Sequence, residues 1–199
     1  MTLMAKSLFI FFSLLFLNKQ INEDKWSLIE IDSTISNNII FKKLDKKTEI
    51  FDRTEKNDVS IKRTSDVTYF DTRYKSLRKE KYSKNNNCRA YYFRSDTLMI
   101  NIGLGMGFSG RGFIIRYKNK NFYTKPYTWN DIGAEGDSDL EHYPIYKIVY
   151  QKVILNKQHY NVGDSLFGKV DFKSIEINWD SSKIEHFGKG YFRTKVGNR

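Results

Sequence analysis

Apolar and polar side chains alternate most clearly in the C-terminal half of the chain. From Ser165 the sequence reads SLFGKVDFKSIEI, in which apolar or small residues alternate with charged ones as far as Ser174. A period of two is typical of a β-strand with one face on the core and the other in water. Past Ser174 the parity reverses, because Ile175 and Ile177 are apolar while Glu176 is polar. The reversal predicts a β-bulge near Ser174 that keeps the apolar face on the core.

A second apolar run, Ile145 to Leu155, precedes this strand. Its apolar residues fall on both parities and are mostly Ile, Val and Tyr. That composition favours a central strand covered on both faces over a helix. Asn161 to Asp164 is typical of a turn between the two runs. The two runs together predict an antiparallel sheet.

Further alternating segments follow one another between Ala90 and the C-terminus, giving about six or seven strands. Asn119 to Asn121 is typical of a hairpin turn, since Asn tolerates positive φ. The chain has abundant aromatic residues, at 16%, while helix-favouring Ala is scarce. These features predict an all-β (β-rich), single-domain, antiparallel two-layer β-sandwich. A closed lipocalin-like β-barrel is the alternative.

The N-terminal part of the chain predicts export. Residues 7–17, SLFIFFSLLFL, form an apolar run of about 16 Å as a helix, too short for a bilayer core of about 30 Å. We interpret residues 1–20 as a signal peptide or an uncleaved hydrophobic anchor, because no small-x-small cleavage motif follows the run. No transmembrane span is expected beyond it, so the predicted location is the periplasm, the cell surface or the extracellular space. Residues 21–88 are expected to form a charged region with a few strands, in one domain with an antiparallel β core over residues 89–199.

Charge and cysteine content narrow the functional classes. The chain carries 34 Lys and Arg against 23 Asp and Glu, a net charge of +11. No nucleic-acid-binding motif accompanies this basic excess, so specific nucleic-acid binding is not expected. Cys88 is the only cysteine, which excludes an intramolecular disulfide and a cysteine-based zinc site.

Motifs for catalysis and nucleotide binding lack their required context. Gly105, Gly107 and Gly110 match G-x-G-x-x-G, but the alternating residues that follow predict a strand instead of the helix that a dinucleotide site needs. A glycine-rich hairpin or bulge is the better interpretation. The three histidines share no metal-binding spacing. The sequence therefore gives no catalytic residues and favours a protein that is not an enzyme.

A row of aromatic residues is the candidate ligand-binding site. Tyr123, Tyr127 and Trp129 share one parity of a predicted strand over residues 122–129. Pro126 cannot donate a ladder hydrogen bond, which places this strand at a sheet edge. An exposed row of rings would suit an envelope glycan or a protein partner. Core packing of the same rings is the alternative.

An acidic segment from Asn130 to Glu141 is a candidate calcium site. Its carboxylates include Asp131, Glu135, Asp137 and Asp139. Calcium is bound by six to eight oxygens, of which alternating acids around glycines could supply several. The spacing does not match an EF-hand, and a solvated acidic turn is the alternative. No other cofactor is indicated.

These features predict an exported, non-enzymatic binding or structural protein of the cell envelope. One alternative is a hydrolase that acts on an envelope polymer through a pair of carboxylates, since Asp and Glu are plentiful. The other is a lipid- or small-ligand-binding β-barrel, which would need an apolar cavity of several hundred Å³.

Overall fold

The computed structural model describes residues 26–49, 62–73, 84, 86–93, 96–105, 109–130 and 144–198, and most of these described residues lie in strands. The strands are β1 (Ser27–Leu28), β2 (Glu30–Ile31), β3 (Ser65–Asp71), β4 (Asn87–Phe93), β5 (Thr97–Gly105), β6 (Ser109–Lys118), β7 (Asn121–Asn130), β8 (Ile145–Leu155), β9 (Ser165–Ile177) and β10 (Lys183–Gly197). A 3₁₀ turn (Ile35–Asn37) and a short helix α1 (Ile39–Leu44) follow β2. The predicted β-rich class is confirmed.

The ten strands form a sheet that folds into two layers. The front layer has the order β1-β7-β6-β5-β4, and the back layer has β10, β9, β8 and β2 in that order, with β3 also paired to β10. The long strand β10 joins the layers. It runs antiparallel to β9 from Lys183 to Lys195, while its last residues, Val196 and Gly197, pair in parallel with β4. The described strands do not close into a barrel, so the predicted two-layer sandwich is confirmed over its alternative.

At the opposite side of the sandwich, the N-terminal segment contacts both layers. Strand β1 pairs with β7, and β2 pairs with β8. Gln151 of β8 adds a side-chain link: its Nε2 donates to Ser27 Oγ at 3.0 Å, and its Oε1 accepts from the Thr124 backbone N–H at 3.0 Å. Because β1 covers only residues 121 and 122 of β7, Pro126 lies on a stretch whose outer side pairs with no other described strand. The predicted edge position of Pro126 is confirmed.

The core between the two layers is made of aliphatic side chains and large aromatic rings. The ring of Phe113 on β6 lies 4.7 Å from Phe172 on β9 and 5.5 Å from Tyr69 on β3, measured between centroids. All three rings are fully buried. Phe172 lies against its direct cross-strand partner Gly188, where an added Cβ would come within 2.2 Å of the ring. The glycine position is therefore what lets a large ring lie flat inside the sandwich.

The β-bulge predicted near Ser174 is present opposite Ser174 in the β8–β9 pair, but it does not interrupt β9 itself. Strand β9 pairs with β10 without interruption, and its alternate residues stay buried through Ser174 and Glu176. The irregularity lies instead on the neighbouring strand β8, between Ile148 and Tyr150. The parity of β9 does not reverse because its two inward polar residues are accommodated by a polar part of the interior, which includes His186.

The predicted coverage of β8 on both faces is also wrong. Strand β8 is one strand from the edge of its layer, and Ile145, Val149 and Tyr150 are each almost half exposed. Among the described strands, only the two-residue β2 borders its outer side. These three side chains therefore lie on the outer surface of the back layer.

Both predicted front-layer hairpins are confirmed. Between β6 and β7, Asn119 and Lys120 have φ values of 49° and 67°, the geometry of a two-residue hairpin turn with both central residues at positive φ. Strands β5 and β6 pair antiparallel down to Gly105 and Gly110. A strand, not a helix, continues from the glycine run, so the geometry of a dinucleotide site is missing.

Candidate binding site

The outer face of the front layer gathers side chains from four neighbouring strands, and those from β4 and β7 are mostly aromatic. Tyr91, Met99, Arg116 and Tyr123 are successive direct partners across β4, β5, β6 and β7. Direct partners project to the same side of a sheet. We call this surface the aromatic face. Its residues are Tyr91, Phe93, Met99, Asn101, Arg116, Tyr123, Tyr127 and Trp129, with Trp26 beside β1.

Glycines on β5 and β6 form the bed on which two of these rings lie. Trp129 is the direct partner of Gly110, and a Cβ added to Gly110 would lie 2.2 Å from the indole Nε1. Tyr127 is the direct partner of Gly112, where an added Cβ would lie 2.9 Å from the phenol oxygen. The rings therefore lie across the backbone instead of projecting from it. Of the three glycines that matched the nucleotide motif, Gly110 is therefore part of this bed.

The three aromatic residues predicted as a ligand-binding row lie on this one face, with different exposure. Trp129 is 41% exposed. Tyr127 is half-buried, and its hydroxyl donates to Asn101 Oδ1 at 2.8 Å. Tyr123 is only 3% exposed, with Trp26 6.3 Å away between ring centroids. Trp129 thus presents its ring to solvent, whereas Tyr123 serves as covered support at the other end of the row.

Trp26 is a surface ring that sequence reasoning missed. It is 41% exposed and lies beside the row because β1 pairs with the start of β7, where Ser27 is opposite Phe122. The sequence predicted only a charged region with a few strands for residues 21–88, which include Trp26. No local pattern predicts that this segment pairs with a strand almost a hundred residues later, because pairing partners are set by the whole fold.

A groove of about 530 Å³ opens at the Trp26 end of the aromatic face. Its walls are Trp26, Tyr91, Phe93, Asp96, Thr97, Met99, Arg116 and Lys118. Lys118 Nζ is paired with Asp96 Oδ2 at 2.5 Å, and this hydrogen bond lowers the pKa of Asp96. Arg116 is half-buried and has no hydrogen-bond or ion-pair partner among the described residues. The groove therefore combines aromatic walls with one uncompensated cation.

A second polar feature lies inside the sandwich, and we call it the buried polar cluster: Tyr69, Asp71, Arg73, Glu176 and His186. His186 Nε2 lies 2.8 Å from Glu176 Oε2, and His186 Nδ1 lies 2.9 Å from the Tyr69 hydroxyl. Arg73 Nη2 lies 3.4 Å from Glu176 Oε2, and Arg73 Nε lies 3.6 Å from Asp71 Oδ1. A carboxylate only accepts, so His186 donates to Glu176 through Nε2.

Burial and neighbouring charges shift the pKa values of Glu176, Tyr69 and the adjacent Tyr146. Burial alone raises the pKa of Glu176, but the His186 hydrogen bond and the Arg73 charge outweigh it and lower the pKa below 4.5. Burial raises the pKa of Tyr69 well above 10. Burial, with the nearby Glu176 charge, raises the pKa of Tyr146 to about 12. Glu176 is therefore ionised at neutral pH, while both phenols stay protonated.

The order Glu176, His186, Tyr69 resembles a proton relay, yet its reactive atoms are inside the protein. Tyr69 and His186 are fully buried and Glu176 is 4% exposed, and the ring of Tyr69 packs on Phe113. A general base must come within hydrogen-bond reach of a substrate. None of these three buried side chains can do so from its position. Their arrangement suits the satisfaction of buried charge between the layers.

The predicted calcium ligands Asp131, Glu135, Asp137 and Asp139 lie outside the described residues. Within the described ranges, no three His, Cys, Asp or Glu side chains are grouped closely enough to hold a metal ion. The calcium site in the acidic segment stays a prediction.

Comparisons with known proteins gave no match to a family model, to a curated protein or to a solved structure. Among the described residues, no helix has the length and apolar character needed to cross a bilayer. The site alone must carry any argument about function.

Proposed function

We propose that this protein is an exported, non-enzymatic binding protein of the cell envelope that recognises a glycan on the aromatic face. The observation that carries the proposal is Trp129, whose indole lies across Gly110 and is still 41% exposed. A ring held flat on a sheet offers an apolar platform at little entropic cost. Sugar rings present C–H faces that stack on such a platform and hydroxyl groups that need polar neighbours.

The spacing of the rings supports an extended ligand. Tyr123 and Trp129 are six residues apart on one strand, which is about 20 Å at about 3.4 Å per residue. Trp26 lies beside Tyr123 at one end, and Trp129 is at the other end. The Asn101 side chain and the hydroxyl of Tyr127 lie between them. This alternation of rings and hydrogen-bonding groups favours an oligosaccharide over a lipid chain.

Two observations favour this function over its alternatives. The interior is filled where a lipid-binding barrel would need a cavity, since Phe113 and Phe172 are in contact at 4.7 Å. The one arrangement of described side chains that resembles a proton relay, Glu176, His186 and Tyr69, is buried, where a polymer substrate would have no access. The apolar run at residues 7–17 supports export.

The test is glycan binding by single tryptophan variants. About 41% of the Trp129 surface is exposed, which is about 100 Å² of a ring system of about 250 Å². Covering that area contributes about 2.5 kcal/mol at about 25 cal/mol per Å². Trp129→Ala should therefore weaken binding about 10- to 100-fold, and Trp26→Ala is expected to act in the same direction.

Affinity electrophoresis and a glycan array read out the binding, with circular dichroism to show that each variant is folded. Trp179→Ala is the matched control, because Trp179 is 77% exposed but lies in the β9–β10 turn of the back layer. Folded Trp129→Ala and Trp26→Ala variants that bind like the unaltered protein would remove the aromatic face as the site. An equal loss in Trp179→Ala would point to another surface.

A further inference from the structure

We propose that the groove beside Trp26 binds an acidic saccharide, with Arg116 pairing to the carboxylate of a hexuronate residue. This inference rests on the proposed glycan binding and adds the chemical class of the ligand. The starting observation is that Arg116 lies in the groove without a hydrogen-bond or ion-pair partner among the described residues.

The position of Arg116 prepares its guanidinium for a ligand. Its neighbours across the sheet are Met99 and Tyr123, both nearly buried. They surround the guanidinium with apolar surface and supply no negative charge. A half-buried guanidinium that lacks an anion loses part of its hydration without compensation. An incoming carboxylate supplies two parallel acceptors that match the planar fork of arginine.

The charge of the groove selects a monoanion. Lys118 is already paired with Asp96, so these two charges cancel. The groove therefore has one net positive charge, which is that of Arg116. A carboxylate carries one negative charge, whereas a phosphate monoester carries nearly two near neutral pH. The match of one charge to one charge favours a uronic acid over a phosphorylated ligand.

The size and lining of the groove favour a sugar over a protein partner as its ligand. A volume of about 530 Å³ is in the range of small-ligand sites, which combine apolar walls with a few polar groups. A protein partner needs about 800 Å² of continuous surface on each side. Trp26, Tyr91 and Phe93 supply the apolar walls, on which the C–H face of a pyranose ring can stack.

The experiment measures binding of short oligogalacturonates and of their methyl esters by calorimetry at physiological ionic strength. The ester has the same sugar rings without the charge. Arg116→Gln should raise the Kd for the acid at least about tenfold, because hydrogen bonds between charged groups are lost. Arg116→Lys should fall between Gln and the unaltered protein, because the charge remains and the fork does not.

Lys183→Gln is the control for net charge. Lys183 is exposed on β10, and its loss changes the charge of +11 by the same unit as Arg116→Gln. The inference is supported if the acid binds, the ester does not, and only the Arg116 variants are weakened. Equal weakening in Lys183→Gln shows general electrostatic attraction and overturns it.

The remaining outcomes separate this inference from the proposed function. If acid and ester bind equally and Trp26→Ala weakens both, glycan binding stands and the acidic specificity is overturned. The same holds if only neutral glycans bind. If no glycan binds the folded protein, both proposals fail. Circular dichroism and thermal melting of each variant confirm that a lost signal is not lost folding.

Discussion

The buried polar cluster gives the sharpest test of how this sandwich is stabilised. Replacing Glu176 by Gln keeps the size of the side chain but removes its charge. The carboxylate lies 2.8 Å from His186 Nε2 and 3.4 Å from Arg73 Nη2. Breaking a buried ion pair costs about 3–5 kcal/mol. Gln still accepts a hydrogen bond, so we expect the low end, about 3 kcal/mol.

Urea denaturation followed by tryptophan fluorescence measures this loss. With an m-value of about 2 kcal/mol per molar, the Glu176→Gln midpoint should fall by roughly 1.5 M. Glu185→Gln is the matched control from the neighbouring strand. Its carboxylate pairs with Lys173 at 2.9 Å, but both side chains are partly exposed. An exposed pair contributes about 1 kcal/mol or less, so the control midpoint should fall by less than about 0.5 M.

The pH dependence tests the charge itself. The pKa of Glu176 is lower in the folded protein than its ordinary 4.5, so its stabilising contribution is fully present above pH 4.5. It is lost as the pH falls through the folded value. The gap between Glu176→Gln and the unaltered protein should therefore shrink in acid. A Glu176→Gln midpoint equal to that of Glu185→Gln at neutral pH, or a gap that stays constant in acid, would refute the reasoning.

Two further predictions concern the core. An added methyl at Gly188 would lie 2.2 Å from the Phe172 ring, so Gly188→Ala should lower stability by about 1–3 kcal/mol and Tm by several degrees in calorimetry. Gly197→Ala, whose Cβ would be 3.7 Å from its nearest neighbour, should change Tm much less, and equal shifts would contradict the packing argument. Cys88 is fully buried, and burial raises the pKa of its thiol, so a thiol reagent such as Ellman's reagent should react only after unfolding. Rapid reaction of the native protein would show that this strand opens.

The strands and hairpins could be predicted because their signals are local. Alternation along β9 and the turn residues Asn119 and Lys120 depend only on neighbours in sequence. The aromatic row was likewise predictable as a set, because residues two or more positions apart on one strand share a face. Its exposure was not predictable. The burial of Tyr123 depends on Trp26, which arrives from a distant part of the chain.

Arg116 shows why the candidate site could not be predicted in full from the sequence. In sequence it is one basic residue in an alternating strand, and nothing local distinguishes it from Lys118. The register across β5, β6 and β7 places Met99 and Tyr123 on either side of it, while Lys118 has Asp96 within reach. The register between neighbouring strands decides which of these two cations has a partner. The sequence of a single strand does not encode that register.

Failure of the alternation rule at Ser174 has a different origin. The rule assumes that inward positions are apolar, but Glu176 points inward and is satisfied by Arg73 and His186. Arg73 lies just past the end of β3, and His186 is on β10. Neither partner is recognisable from the β9 segment alone, so a bulge was the simpler explanation. The sandwich tolerates the inward charge because three strands bring the compensating groups together.

Glycine–aromatic pairs occur on both faces of this fold, and the contrast between them bears on function. Inside the sandwich, the Phe172 ring packs on Gly188 and is fully buried. Both faces of that ring therefore contribute to stability. Outside, Gly110 receives Trp129, yet 41% of that residue stays exposed. Folding therefore uses only part of the apolar surface that the indole offers. A ligand that covers the exposed part gains from a platform that the fold has already ordered, which is why the outer pair is the better candidate for recognition.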